Sequence, residues 1–121
     1  MQTWRLLDTP PMTAAENMAM DETLLELKGK GRSLNTIRFL QFSPRAVLVG
    51  FHQAIDEEIR TDYCRANQID VNRRITGGGA IFFDENQLGW EVFCNKSFFN
   101  TAIPNVHLFK ALCDPVVTAL A

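Results

Sequence analysis

The chain has 121 residues, 46% of them hydrophobic and 21% charged, with 12 Lys plus Arg against 14 Asp plus Glu and a formal net charge of −2. That composition excludes an intrinsically disordered segment, and the absence of a basic excess excludes a general binder of nucleic-acid backbones. No apolar run approaches the roughly 20 residues of a membrane helix, and the opening Met1-Gln2-Thr3-Trp4-Arg5-Leu6 is not a signal peptide, so neither nucleic acid nor membrane is expected as a partner and a cytoplasmic setting is.

Residues 3–8 (TWRLLD) predict a first strand, broken by Thr9-Pro10-Pro11-Met12. Thr13 followed by Glu16 is a capping-box pattern, and the helix it opens should run to about Lys28. Ala14, Met18 and Leu25 fall on one side of that helix and Met20, Leu24 and Leu27 on nearly the opposite one, which predicts a helix sandwiched between two apolar surfaces. Gly29-Lys30-Gly31 should close it. Thr36–Phe42 (TIRFLQF) reads as a strand, Ser43-Pro44-Arg45 as a turn, and Ala46–Gly50 (AVLVG) as a short buried strand, the two strands being expected to pair as a hairpin. Asp56–Gln68 predicts one helix with acids at its start, and Ile69–Arg74 a return to strand. Ile81–Phe83 and Leu88–Cys94 are further strand candidates and Asn95–Pro104 a loop. Asn105–Ala121 reads as a last helix with Leu108, Leu112, Val116 and Leu120 on one stripe, and Asp114-Pro115 should kink or break it. The apolar, uncapped end Val117–Ala121 suggests that residues 1–121 form a single but incomplete domain.

The strongest chemical signal is Arg73-Arg74-Ile75-Thr76-Gly77-Gly78-Gly79-Ala80. Three consecutive glycines lack Cβ atoms, so a ligand can lie against the backbone and amides can converge on an anion. A strand rather than a helix follows, which fits neither a Walker loop nor a Rossmann fingerprint; the bland alternative is a flexible turn beside an exposed Arg pair. Eight of the 12 cations are Arg, a tilt that suits a small anionic ligand. Cys64, Cys94 and Cys113 are widely spaced and read as reduced structural thiols, and His52 and His107 are too few for a His-based metal site. Asp21 and Glu22 are adjacent on the first helix and point about 100° apart, so they read as capping, surface charge or partners of a buried Arg and not as an acid–base pair.

The segment Arg73–Asp84 resembles the RRxxGGGAVxHD signature of lipoate-protein ligase A and the related octanoyltransferases, a superfamily that also contains biotin-protein ligase. Asn17–Leu25 resembles that family's first helix, Ile37–Leu40 and Val49–Gln53 its strand pair ending in GxxQ, and Leu88–Val92 the strand after the signature. The resemblance implies an α+β fold, a mixed β-sheet with packed helices like the N-terminal half of the biotin/lipoate protein ligase catalytic core. It implies a medium-chain acyl group, lipoate or octanoate, activated with ATP and Mg2+ as lipoyl-AMP and transferred to a lysine of a lipoyl-domain acceptor protein. Carried over by position, Arg74 would contact the phosphate or carboxylate end, Thr76 would border the acyl pocket, and Gly77, Gly78, Gly79, Ala80, Ile81 and Phe82 would form the backbone wall along the adenylate. Gln41 or Phe42 occupies the place of a common aromatic residue. Phe83 stands where the signature has His. The family's lysine and the cysteine of its transferase branches have no match here, so whether this chain alone is an enzyme is left open. The alternatives are an octanoyl- or lipoyltransferase using a thioester donor, and a non-catalytic half-domain completed by a separate chain or a second copy.

Overall fold

The computed structural model describes residues 2–99 and 104–121. Strand β1 (Trp4–Asp8) leads to helix α1 (Ala14–Gly29), then to β2 (Asn35–Leu40) and β3 (Ala46–Val49). Two short helices, α2 (Ile55–Glu58) and α3 (Thr61–Ala66), precede β4 (Asp70–Arg73), β5 (Ile81–Phe83) and β6 (Gly89–Phe93). A 3-10 turn at Lys96–Phe98 and helix α4 (Asn105–Leu120) follow, residues 100–103 of the expected loop lying outside the described residues. The strands form two mixed three-stranded sheets, ordered β1-β2-β6 and β4-β3-β5, with each central strand parallel to one neighbour and antiparallel to the other. This is the expected α+β architecture of mixed sheet and packed helices.

Helix α1 starts where its cap predicts. The Thr13 amide donates to Glu16 Oε2 at 2.9 Å and the Glu16 amide to Thr13 Oγ1 at 3.3 Å, bonds that hold the Glu16 carboxyl below its usual range. The Ala14 amide donates to Asp70 Oδ2 at 3.1 Å, tying the helix start to β4. At the other end the Gly31 amide reaches Lys28 O and the Arg32 amide Leu27 O, with Gly31 at φ +67°, a Schellman closure. Burial corrects the two-sided expectation. Only the face carrying Ala14, Asn17, Met18, Asp21 and Leu24 is buried, and Leu25 is 53% exposed. Two of those five are polar, which is why an apolar count along the helix missed the face.

The hairpin expected of β2 and β3 does not form. After β2 the chain pairs with the segment before α1, through Met12 N to Gln41 O at 3.2 Å and Ser43 N to Met12 O at 3.0 Å, and β3 then enters the other sheet with both its edges taken by β4 and β5. The single helix expected over Asp56–Gln68 is two, separated by Ile59 in an extended conformation (φ −127°, ψ 133°). Three acids crowd the four residues of α2, and those nearest its C-terminus oppose the helix dipole. Helix α4 runs through Pro115, against the expected break, with Lys110 and Asp114 paired at 2.7 Å on its surface.

The core gathers Ala14 and Met18 of α1, Leu40, Phe42, Ala46 and Leu48, with Phe83 packed against it. Beside it lies Arg38, with no exposed surface, directly opposite Glu91 on β6. Its Nη1 donates to Asp21 Oδ1 at 2.6 Å and to Glu91 Oε2 at 3.3 Å, and its Nη2 donates to Asn17 Oδ1. The Asn17 amide in turn donates to Gln41 O at 3.0 Å. Removing the cation leaves two carboxyl groups uncompensated in the interior, so Arg38→Met is expected to lower stability by about 3–5 kcal/mol in urea unfolding.

Candidate functional site

The glycine run is shaped by close contact with the end of β3. A Cβ on Gly50 would lie 2.0 Å from Gly78 O, and Gly78 itself has φ +101°, so neither position accepts a side chain without moving the loop. The β3/β4 ladder continues into this region through Arg74 N to Val49 O at 3.0 Å and Phe51 N to Thr76 O at 2.9 Å. Arg74 spans the loop: Nη1 donates to Leu48 O at 3.0 Å, and Nη2 to Gly77 O at 2.8 Å and Gly79 O at 2.7 Å. Arg73, which the sequence marks as one of an Arg pair but to which the resemblance gave no role, does the same for the neighbouring turn, Nη1 donating to Gly50 O, Phe51 O and Gln53 O at 3.0, 2.9 and 2.6 Å. Side chains alternate along a strand, so consecutive arginines at the end of β4 can serve two loops. That pairing was the available signal.

A cleft of about 400 Å3 opens beside this loop. Met18 and Leu25 of α1, Leu40 and Leu48 of the two central strands, and Phe42 and Phe83 line much of it; Trp90 and Phe93 close it on the β6 side. The Phe42 and Phe83 rings meet at 4.7 Å, so the residue standing in place of the signature His is part of an apolar wall. Arg74, Ile75 and Thr76 line the cleft where the glycine run begins. Of the remaining site residues predicted from sequence, Gly77, Gly78, Gly79 and Ala80 form an exposed loop next to it, and Ile81 and Phe82 are 44% and 48% exposed on β5. Gln41 is half-buried with its carbonyl bonded to Asn17 and Met12, and the adjacent Phe42 is the one that reaches the cleft. His52 is exposed and stacks edge-on against Phe51.

Among the described residues, the acids on the cleft wall are Asp21 and Glu91. Burial pushes both carboxyls up, Glu91 to about 8, with the neighbouring Asp21 adding to the shift and Arg38 opposing it. A second, polar hollow of about 290 Å3 is lined by residues that include Lys28, Ser33, Asn35 and Asn95. The Cys94 thiol is pushed up by burial, which makes it a poor nucleophile. Among the described residues no three His, Cys, Asp or Glu side chains converge to hold a metal, and no helix is long and apolar enough to cross a membrane.

Two outcomes follow from this geometry. Gly50→Ala should displace the glycine loop, visible as large amide shifts at Gly77–Gly79, with a stability loss of about 1–3 kcal/mol. Because folded Glu91 keeps its proton up to about pH 8 while the unfolded residue loses it near its ordinary value of 4.5, the folded state binds more protons between these values. Stability should therefore fall as pH rises from 5 to 8, by as much as about 3–4 kcal/mol, and Glu91→Gln should flatten that slope in denaturation measured across the range.

The family described as the lipoyl protein ligase A/B catalytic domain matches residues 13–121. An octanoyltransferase LipM of Clostridioides difficile is 37% identical over 96 residues, covering 79% of this chain and 35% of that protein. Among solved structures, a lipoate protein ligase of T. acidophilum superposes with a TM-score of 0.64 at 33% identity, over 76% of this chain and 38% of the other. A lipoate-protein ligase A bound with ATP gives 0.62 at 31%, over 75% and 36%. A bi-partite lipoate protein ligase of Thermoplasma acidophilum, solved with its E2 lipoyl domain, gives 0.58 at 31%, over 76% and 36%. The chain thus spans about a third of the length of the relatives it matches. With its match extending from the cap of α1 to the last residue, it belongs to the lipoyl protein ligase A/B catalytic domain family.

Proposed function

We propose that the chain is the acyl-binding part of an enzyme that transfers an octanoyl or lipoyl group to a lysine of a lipoyl domain. The observation that carries this reading is the apolar cleft of about 400 Å3 that begins at Arg74–Thr76, beside the glycine loop. That volume lies within the usual range of about 300–1,000 Å3 for small-ligand sites, and an apolar wall with a few polar groups suits a medium-chain acyl tail. The chain would lie among Met18, Leu48, Phe42 and Phe83, with its carbonyl end at Thr76. Gly77 and Gly79 have open space where a Cβ would stand, so an anionic head can approach their backbone. Arg74 then serves chiefly by holding the loop carbonyls, which leaves the loop amides free to meet developing negative charge. Among the described residues the cleft lining includes no lysine or cysteine, so the group that forms and breaks the acyl bond comes from elsewhere in the fold or from a partner.

Two donors fit this frame. Similarity to the curated octanoyltransferase favours a thioester, and the ATP-bound neighbour favours an acyl-adenylate. ATP would supply the activating phosphoanhydride; its Mg2+ would ride on the phosphates, since no cluster of protein carboxylates offers a cage among the described residues. The bi-partite neighbour favours a separate chain as the completing partner.

The test is titration of the chain with octanamide, followed through the indole signal of Trp90 in the cleft wall. Saturable shifts at Trp90, abolished by Leu48→Trp, are expected; a Trp90 signal that stays still overturns the acyl reading. Octanoyl transfer to a lipoyl domain by the whole gene product, supplied with an octanoyl-carrier thioester or with octanoate and ATP, then separates the donors.

A further inference from the structure

The acyl cleft is apolar except at two places: the Arg74–Thr76 end, and the wall where Asp21 of α1 and Glu91 of β6 face it. The two acids share one cation. Arg38 Nη1 lies 2.6 Å from Asp21 Oδ1 and 3.3 Å from Glu91 Oε2, while Asn17 on the same helix face is neutral. Among the described residues, the other charged group on the cleft wall is Arg74, whose guanidinium is engaged by the carbonyls of Leu48, Gly77 and Gly79. Two carboxylates against one guanidinium leave a net charge of −1 on a largely buried stretch of the wall. A buried uncompensated charge is far more costly than a protonated carboxyl, so the trio is neutral only with one proton held between the acids. The upward shift of both carboxyls agrees with this count.

We propose that Glu91, acting with Asp21 and Arg38, is a specificity-determining residue of the acyl cleft: with one proton on the acid pair the wall is neutral and selects an uncharged aliphatic chain, and without it the wall favours a chain carrying a cation. An acyl tail that fills the cleft displaces the water that would otherwise hydrate a carboxylate, so it binds the protonated form preferentially. By linkage, a bound tail must raise the titration midpoint of the pair by the same factor by which the proton raises the tail's affinity.

The inference rests on the acyl-cleft reading, and the experiment separates the two. Octanamide and 8-aminooctanamide, neither of which carries a carboxylate, are titrated into the chain at pH 6 and pH 9 by calorimetry. Octanamide affinity should fall about tenfold between these values, corresponding to about one unit of proton coupling. The preference for 8-aminooctanamide over octanamide should rise by a similar factor, and Glu91→Gln should bind octanamide equally at both pH values. Carboxyl 13C titration of Glu91 in the unsubstituted chain provides a second readout that needs no variant: saturating octanamide should raise its midpoint. Octanamide binding that is equal at pH 6 and pH 9, a slope retained in Glu91→Gln, or a Glu91 midpoint unmoved by octanamide overturns the proposal and leaves the acyl cleft standing. No octanamide binding at any pH overturns the acyl reading, and the specificity role with it.

Discussion

Arg38 sits in the middle of β2 with no solvent contact, and every polar side chain on the buried face of α1 is oriented by it. A guanidinium in that position is tolerable only if its neighbours supply charge and acceptors, so the helix must present Asn17 and Asp21 one turn apart and β6 must place Glu91 opposite. The register between helix and sheet is thus set by directional bonds as well as by apolar contact. The apolar cleft opens next to this arrangement and takes its walls from the same elements. Its polar wall is a by-product of the device that positions it.

The glycine loop depends on a different economy of contacts. Nothing in three glycines fixes a conformation, and the order comes from outside: from the Gly50–Gly78 approach and from two arginines that donate to backbone carbonyls. A loop held by its carbonyls can keep its amide side available. The two arginines act as struts, Arg74 for the glycine loop and Arg73 for the turn after β3.

The first helix and the glycine run were legible because each carries a local signature. Thr13 and Glu16 define a cap wherever they occur, and three glycines between strands demand a close backbone approach. The β2–β3 partnership was illegible because strand pairing is decided by which edges are free, and only the Met12–Phe42 bridge shows that β2 turns back toward the start of α1. Asp21 was legible only as one of three readings, a cap, a surface charge or the partner of a buried Arg, because what decides among them is a cation that lies 17 residues further on. Thr76 and Arg74, singled out by their position in the signature, both line the cleft. That Phe42 and not Gln41 reaches the cleft depends on the one-residue alternation at the end of β2, which residue types alone do not set.

The spacing of the Arg38 partners also orders events during synthesis. Asp21 lies 17 residues before Arg38, whereas Glu91 lies 53 residues after it. On the ribosome, Arg38 and Asp21 can therefore balance each other one to one while β6 has yet to emerge, and the chain between them is short enough to close early. When Glu91 arrives it completes the sheet by bringing a second acid to a cation that is already satisfied. The last strand to emerge is thus the one that brings the second acid, whose carboxyl burial pushes upward, to a cation already paired.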